Sequence, residues 1–227
     1  MHPRALLLAV AFAVALVGAA RQTRPAPAAE IATLHYLPHV SAGECPLFLD
    51  TFDTDLGWFL GQSDGLTAEL VGGEYRLAFA GQGEVWFVPA PGCGRAHYVA
   101  AVDARWAGPP GNFIGLLFGI DDARQGAYLF AVNTDRRVWL LFEAGPDSLV
   151  TLIPPTAADA VLPGGATNRL QAERRGDTIT LSVNGAVVGH LPDPFPAAPV
   201  LAGVAAAAYT TQPSADARFD NFLYRDE

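Results

Sequence analysis

Residues 178–191 read TITLSVNGAVVGHL, and this stretch decides the fold class of the chain. Apolar Ile179, Leu181 and Val183 alternate with hydroxyl side chains, which is the period of a strand with one buried face. Asn184-Gly185 follows, and a second apolar run begins at once. Because a type I′ turn needs two residues with positive φ, Asn-Gly between two apolar runs is a strong hairpin signal. The stretch therefore predicts antiparallel β-sheet.

The same rhythm of short apolar runs and turn residues continues through the chain. Turn signals such as Gly72-Gly73 and Pro163-Gly164-Gly165 separate the runs every 8 to 12 residues or so, which is typical of a sandwich or barrel. No segment shows a convincing helical period, and the alanine-rich stretch 202–208 is interpreted as a buried strand. We therefore predict an all-β fold. The predicted strands are 47–53, 67–71, 74–80, 84–88, 96–106, 112–120, 126–133, 136–143, 148–153, 168–175, 177–184, 186–191, 200–209 and 216–224.

Composition limits both the architecture and the partners of the chain. With 227 residues, 51% of them hydrophobic and 16% charged, the chain can bury one sizeable core or two small ones. The net charge is −9, and the acidic residues are scattered. Nucleic-acid binding normally needs a basic face, and the sequence offers none. We therefore do not expect a nucleic-acid partner.

The first 20 residues have the features of an export signal. His2 and Arg4 precede the uncharged run Ala5–Ala20, and Gly18-Ala19-Ala20 supplies small residues for cleavage. The run is 16 residues long, whereas a helix that spans a bilayer needs roughly 20. We predict a secreted or extracytoplasmic protein. A signal that stays uncleaved and tethers the protein to the membrane remains an alternative.

The rest of the chain divides into a tether and one folded domain. Residues 21–44 are rich in Ala and Pro and lack a steady period, so we predict a tether there. The folded domain is predicted over 45–227. Its two cysteines, Cys45 and Cys93, are expected to form one disulfide, since bridges are the default in exported chains. Two free thiols are the alternative.

Several pieces of sequence occur in the order found in one known superfamily. They are Leu47–Asp53 with Gly57-Trp58, Gly73–Leu77, Asn168-Arg169-Leu170 with Gly176-Asp177 and Val183-Asn184-Gly185, and Phe219–Phe222. As a set they resemble the concanavalin A-like lectin/glucanase superfamily, and within it the laminin-G-like domains of bacterial exported proteins. The resemblance implies a jelly-roll sandwich of two antiparallel sheets, one of them concave. Since the superfamily includes lectins, glycosidases and adhesion modules, the fold leaves the function open.

The resemblance also implies a structural calcium ion, although no cofactor is expected to be required for function. Many members of the superfamily hold Ca²⁺ near the opening and closing strands, and the matching positions here are Asp50, Gly73 and Asp220. Carboxylates and carbonyls are the oxygen ligands that Ca²⁺ takes. The alternative is that Asp220 hydrogen-bonds backbone at a strand edge.

The sequence carries no catalytic motif that we recognise. A retaining glycosidase needs two carboxylates about 5 Å apart. Laminarinase-like enzymes of the superfamily carry Glu-x-Asp-x-x-Glu on one strand, and this chain lacks that motif. Residues 61–65 match Gly-x-Ser-x-Gly, but no helix is predicted to follow, so we interpret them as a turn.

Two neighbouring strands suggest a ligand-binding face. If residues 127–133 and 136–143 form a hairpin, one face carries aromatic and charged side chains, while the other is purely apolar and is taken as core. The mixed face is predicted to bind a ligand through Tyr128, Arg137, Trp139 and Glu143, since rings stack on sugars and charged groups bind hydroxyls. The alternative is that Tyr128 and Trp139 are buried.

These observations predict an exported, non-catalytic module that binds a glycan or another cell-surface ligand on its concave sheet. Two alternatives stay open. One is a glycoside-processing enzyme of the glucanase type, and the other is a structural or adhesion module with protein partners.

Overall fold

The structure is a computed structural model that describes residues 33–36, 47–81, 83–121, 126–145, 148–193, 199–208 and 215–227. Within these ranges the chain forms strands and no helix, as predicted. The strands are β1 (Thr33–Tyr36), β2 (Phe48–Asp50), β3 (Gly61–Ser63), β4 (Leu66–Val71), β5 (Glu74–Phe79), β6 (Glu84–Pro89), β7 (Tyr98–Trp106), β8 (Phe113–Asp121), β9 (Gly126–Asn133), β10 (Val138–Ala144), β11 (Leu149–Ala157), β12 (Asn168–Arg175), β13 (Thr178–Val183), β14 (Ala186–Pro192), β15 (Leu201–Ala208) and β16 (Ala215–Arg225).

The strands form two sheets. The seven-stranded sheet has the order β1-β6-β15-β8-β9-β10-β11. The nine-stranded sheet has the order β14-β13-β12-β7-β16-β5-β4-β3, and β2 pairs with β16 beside this path. The described neighbours are antiparallel except β1, which runs parallel to β6.

The predicted Asn-Gly hairpin is present between β13 and β14. Asn184 and Gly185 have φ values of 50° and 80°, the positive pair that a type I′ turn requires. Asp64 and Gly65 repeat this pattern, with φ values of 45° and 92°, between β3 and β4. Residues 61–63 of the Gly-x-Ser-x-Gly match form β3, and Asp64-Gly65 form the turn, so the match lies in a hairpin and no helix follows it.

The alanine-rich stretch forms β15, as predicted, and all eight of its residues are buried. The strand lies between β6 and β8 in the seven-stranded sheet, so both of its edges are paired, and its side chains are buried on both faces. Small side chains suit this central position, because large side chains from β6 and β8 occupy the space on either side. Tertiary burial here outweighs the helix propensity of alanine.

A single large core fills the space between the two sheets. It combines side chains of both sheets, and its largest fully buried members are Trp86, Tyr75, Tyr98, Phe52, Phe118, Phe130, Phe219 and Phe222. Burial of such aromatic side chains stabilises a fold by roughly 1.5–3 kcal/mol each. The stacking of the two layers is therefore driven by one continuous apolar interior.

A second apolar cluster lies on the opposite face of the seven-stranded sheet, which we name the outer apolar face. Its members are Val85, Phe87, Phe113, Leu117, Ile120, Ala127, Leu129, Ala131, Leu140, Phe142, Ala144, Leu201, Ala205 and Ala207. All of these residues belong to the seven-stranded sheet, and each is at most 9% exposed. The sheet is thus apolar on both faces.

Strand β1 lies inside the stretch 21–44, which we predicted to be a tether. Leu34 packs against the outer apolar face, and the His35 ring stacks on Trp86 with 3.8 Å between ring centroids. Four residues are too few for a period to be visible in the sequence, and the edge of β6 supplies the hydrogen bonds that order them. The folded part therefore includes residues 33–36.

Some predictions concern residues outside the described ranges. The export signal at 1–20, most of the tether and Cys45 fall there, so the Cys45–Cys93 disulfide stays a prediction. No helix in the described part of the chain has the length and apolarity that crossing a membrane requires.

Candidate functional site

The predicted ligand-binding face of β9 and β10 is oriented inward. Cross-strand pairs join Trp139 to Val132 and Glu143 to Tyr128, so these side chains share one face, as predicted. However, Tyr128 and Trp139 are only 6% and 4% exposed and belong to the core between the sheets. The purely apolar face, which we took as core, is instead the outer apolar face, and Leu129 is one of its members. The assignment of the two faces was therefore wrong, while the alternative of buried aromatics is confirmed.

Trp139 is a core residue packed between the two sheets. Its ring meets Phe130 edge-on, with centroids 5.9 Å apart and planes at 78°. Gly189 on β14 approaches it closely, because a Cβ added there would lie 2.7 Å from Cη2 of Trp139. The indole therefore has a structural position and does not line an open groove.

Arg137 is held by backbone carbonyls at the turn between β9 and β10. Its Nε donates to the carbonyl of Val161 at 3.0 Å, and its Nη2 donates to that of Asp159 at 2.7 Å. This turn is at the opposite end of the hairpin from Tyr128 and Glu143. Arg137 thus secures the segment after β11 and lies apart from the other predicted ligand-binding residues.

The remaining two predicted residues, Tyr128 and Glu143, line one cleft, which we name the Tyr128–Glu143 cleft. It has a volume of about 400 Å³ and lies where β8 meets β9 and β10 meets β11. Asp121 and Ser148 add a carboxylate and a hydroxyl to its lining. Most of the other lining residues are glycine or alanine, which leaves space beside the polar groups.

Gly119 gives this cleft its shape. It has φ = +64°, and a Cβ added there would lie 2.8 Å from Cδ2 of Tyr128. The pairing of β8 with β9 shifts register between Phe118 and Asp121, so that Asp121 lies opposite Gly126. This irregularity brings the Asp121 carboxylate to the cleft. Asp121 is not among the residues predicted from the sequence, because a register shift depends on the partner strand.

The lining of the cleft combines hydrogen-bonding groups with an apolar surface. Carboxylates accept hydrogen bonds from hydroxyl groups, the Ser148 hydroxyl both donates and accepts, and the ring of Tyr128 offers an apolar surface. Two carboxylates in one cleft are also the minimum that glycoside hydrolysis requires.

The outward face of the nine-stranded sheet carries a network of arginines and carboxylates. Arg105 donates two hydrogen bonds to Glu74, at 2.6 and 2.5 Å, and Arg218 adds a third contact at 3.2 Å. The hydrogen bonds from Arg105 hold the pKa of Glu74 below its usual value, because they favour the charged carboxylate. The charged groups of this network therefore pair with one another.

The residues predicted to bind calcium are engaged in other contacts. The two carboxylate oxygens of Asp50 accept hydrogen bonds from the backbone N–H of Phe52 at 2.7 Å and from Nε1 of Trp58 at 2.8 Å. Asp50 is 2% exposed, and burial raises its pKa, because burial disfavours the charged form. The two hydrogen bonds join the opening strand to Trp58, and the role of Asp50 as a calcium ligand stays a prediction.

The other two positions give no stronger support for a metal. The carboxylate near Gly73 is that of Asp53, whose Oδ1 lies 3.4 Å from where a Cβ on Gly73 would be. Asp220 accepts a hydrogen bond from the backbone N–H of Asn221 at 2.6 Å, as the alternative interpretation expects. Among the described residues, no group of three or more His, Cys, Asp or Glu side chains could hold a metal ion. Calcium stays an untested prediction.

Comparison with known proteins shows the fold. No protein-family model matches the chain, and no curated protein sequence matches it either. Among solved structures, a Crh5 transglycosylase in complex with NAG has a TM-score of 0.58 at 13% identity, covering 80% of this chain and 88% of its own. A prokaryotic β-1,3-1,4-glucanase (lichenase) from a mouse hindgut metagenome has a TM-score of 0.56 at 14% identity, covering 80% and 99%. A Bacillus licheniformis β-glucanase has a TM-score of 0.55 at 12% identity, and the match covers 80% of this chain and 98% of its own.

Likeness at such low identity concerns architecture alone. The chain has the concanavalin A-like jelly-roll fold of two antiparallel sheets, as the sequence resemblance implied. The narrower likeness to laminin-G-like domains is not tested by these structures.

Proposed function

We propose that this protein is an exported, non-catalytic glycan-binding module whose ligand binds in the Tyr128–Glu143 cleft. The observation that carries the proposal is the convergence of an aromatic ring, two carboxylates and a hydroxyl in one cleft of about 400 Å³. This volume falls within the range of roughly 300–1,000 Å³ that small-molecule sites have. Glycan recognition combines such an apolar wall with a few polar groups that accept hydroxyl protons.

The individual lining residues suit a sugar. The Asp121 and Glu143 carboxylates can each accept hydrogen bonds from neighbouring hydroxyls, and Tyr128, although only 6% exposed, contributes apolar surface to the lining. The small residues of the lining leave a sugar ring room to enter. Solved structures of the same fold include two β-glucanases and a transglycosylase in complex with NAG, which makes a carbohydrate ligand the first class to test.

The proposed location is extracytoplasmic. The charged start, the uncharged run Ala5–Ala20 and the small residues that end it support export. Glycans of the cell surface and of the surroundings would then be within reach of the cleft.

A glycan array with the full chain, followed by calorimetric titration of each glycan that binds, tests the proposal. Asp121→Asn and Glu143→Gln should each weaken binding about tenfold, which is about 1.4 kcal/mol. Asp64→Asn and Glu69→Gln are matched controls on the nine-stranded sheet and should bind like the wild type. Absence of any bound glycan, or equal binding by the two cleft variants, would overturn the proposal in favour of a structural module.

Glycoside processing is the second candidate, because Asp121 and Glu143 line the same cleft. In that case each glycan that binds should be cleaved or transferred, and either carboxamide variant should abolish turnover. Incubation with the bound glycans distinguishes the two candidates. Hydrolysis forms new reducing ends, and transfer forms glycans of altered length that chromatography separates, whereas under the first proposal neither product forms.

A further inference from the structure

The Tyr128–Glu143 cleft carries negative charge. Its described lining contains the carboxylates of Asp121 and Glu143 and no basic side chain. The nine-stranded sheet differs in this respect, because Glu74 on its outward face contacts both Arg105 and Arg218. The chain as a whole has a net charge of −9, so the surroundings of the cleft do not reverse its sign on average. Clefts lined by charge of one sign concentrate ligands of the opposite sign.

Glu143 lies between two apolar side chains. Cross-strand pairing sets it opposite Tyr128 on β9 and opposite Val150 on β11. Glu143 is exposed, and Val150, which also lines the cleft, is 52% exposed. Apolar neighbours exclude some of the water around a carboxylate, so an opposite charge brought by a ligand is attracted more strongly than it would be in bulk water.

A protonated amine suits this lining better than a neutral or an acidic group does. An ammonium group donates three hydrogen bonds, and ionised carboxylates only accept them. Hydrogen bonds between opposite charges are roughly twice as strong as those between neutral groups. A ligand carboxylate would instead meet like charge, which weakens its binding. The sign of the lining therefore selects among sugars by their charge.

Given the glycan-binding function proposed above, on which this inference rests, we propose that the preferred ligand of the cleft is an oligosaccharide with free amino groups. The ammonium group of one sugar binds the carboxylate of Glu143, and Asp121 adds a second negative charge beside it. The apolar surface of Val150 contacts the C–H face of the same sugar, and the Ser148 hydroxyl binds one of its hydroxyl groups.

Four tetrasaccharides test this preference by calorimetric titration of the full chain. The β-1,4-linked tetramers of glucosamine, N-acetylglucosamine and glucose differ only in the substituent at C2, and a tetramer of galacturonic acid is the acidic probe. At about pH 6 the amines are protonated and the carboxylates are ionised. We expect the glucosamine tetramer to bind about tenfold more tightly than each of the other three.

A matched pair of variants locates the preference in the cleft. Glu143→Gln should reduce the preference for the glucosamine tetramer over the glucose tetramer to about twofold. Asp64→Asn also removes one negative charge, at the turn between β3 and β4, and should keep the preference of the wild type. Addition of salt to about 0.5 M should weaken binding of the glucosamine tetramer roughly threefold and leave binding of the glucose tetramer unchanged.

Three results would overturn the amine preference. Equal binding of the glucosamine and glucose tetramers, with both weakened by Glu143→Gln, would do so while leaving glycan binding by the cleft intact. A preference of the same size in Glu143→Gln would show that the net charge of the chain attracts the amine and that the cleft does not. Binding of none of the four tetramers would also overturn it, and the glycan array then decides separately whether the cleft binds another glycan.

Discussion

Glu143 on β10 lies directly opposite Tyr128 on β9, and both side chains line the same cleft. Cross-strand partners in an antiparallel pair have Cβ atoms about 4.5–5.5 Å apart, so a ligand in the cleft can touch both. Trp139 is four residues before Glu143 on the same strand, yet it is sealed in the core by Gly189. The binding site proposed here is therefore the open end of an otherwise buried row of side chains.

Replacement of Gly119 by alanine should damage the cleft. The new Cβ would lie 2.8 Å from the Tyr128 ring, and overpacking of this kind costs about 1–3 kcal/mol. Gly164→Ala is a matched control, because Gly164 has φ = +63° and no atom within 4 Å of an added Cβ. In urea unfolding, Gly119→Ala should lose more stability than Gly164→Ala and should also bind ligand more weakly. Equal losses would mean that the contact with Tyr128 is unimportant.

Trp139→Ala should reduce stability and leave the ligand affinity of the folded protein unchanged. A buried aromatic side chain replaced by alanine leaves a cavity, which costs about 3–5 kcal/mol. Urea unfolding measures the loss, and calorimetry at low temperature measures binding. Trp139→Phe retains most of the side-chain volume, so its stability should lie between that of the wild type and that of Trp139→Ala. Normal stability together with lost binding would show instead that Trp139 contacts the ligand.

Asp50→Asn should destabilise the opening strand. The amide nitrogen would face one of two N–H donors, either the backbone N–H of Phe52 or Nε1 of Trp58, and an unsatisfied buried donor costs about 1–3 kcal/mol. Asp55→Asn is the control, because Asp55 makes a similar bond to the N–H of Gly57 in an exposed position. Thermal unfolding should show a clearly lower Tm for Asp50→Asn alone.

Calcium binding can be tested on the wild type and on Asp50→Asn. Since both Asp50 oxygens already accept hydrogen bonds, we expect the Tm of the wild type to be equal in calcium and in a chelator. A Tm that rises with calcium in the wild type but not in Asp50→Asn would establish the site that the resemblance implied.

The Glu74–Arg105 pair should make stability depend on acid pH. The pKa of Glu74 in the folded protein lies below its usual value of 4.5, mainly because Arg105 hydrogen-bonds the charged form. The unfolded chain therefore takes up the proton first, so this contribution is present above pH 4.5 and is lost as the pH falls through the folded-state pKa.

A double-mutant cycle of Glu74→Gln and Arg105→Gln measures this contribution. The coupling energy between the two residues, from urea unfolding, should be favourable at pH 7 and should shrink towards zero at about pH 2. A coupling energy that is the same at both pH values would show that the ion pair does not set the acid dependence.

Cys45 and Cys93 should form a disulfide in the exported protein. Closing the chain between them lowers the entropy of the unfolded state, which stabilises the fold by about 4 kcal/mol in the chain-entropy model. Peptide mapping without reductant should find the bridge, and Cys45→Ser should lower the Tm by a similar amount to reduction of the wild type. Two thiols that react with a thiol reagent in the native, unreduced protein would refute the bridge.

The strands of the long hairpins could be predicted from the sequence, whereas two short edge strands, β1 and β3, could not. Alternation and an Asn-Gly turn are local properties, and they located β13 and β14 correctly. Strands β1 and β3 have only four and three residues and depend on a neighbouring strand to hold them. Pairing with a neighbour is a tertiary property, so their sequences carried no visible signal.

The candidate site likewise combines features that the local sequence predicts with features that depend on tertiary structure. The alternation along β9 and β10 correctly placed Tyr128, Trp139 and Glu143 on one face, because side chains in a strand point alternately to opposite sides. Which of the two faces of the seven-stranded sheet is buried in the core depends on the side against which the nine-stranded sheet packs. Both faces of this sheet are rich in apolar residues, so no local pattern could distinguish them. The presence of Asp121 in the same cleft as Glu143 likewise depends on a register shift between strands, which no single strand encodes.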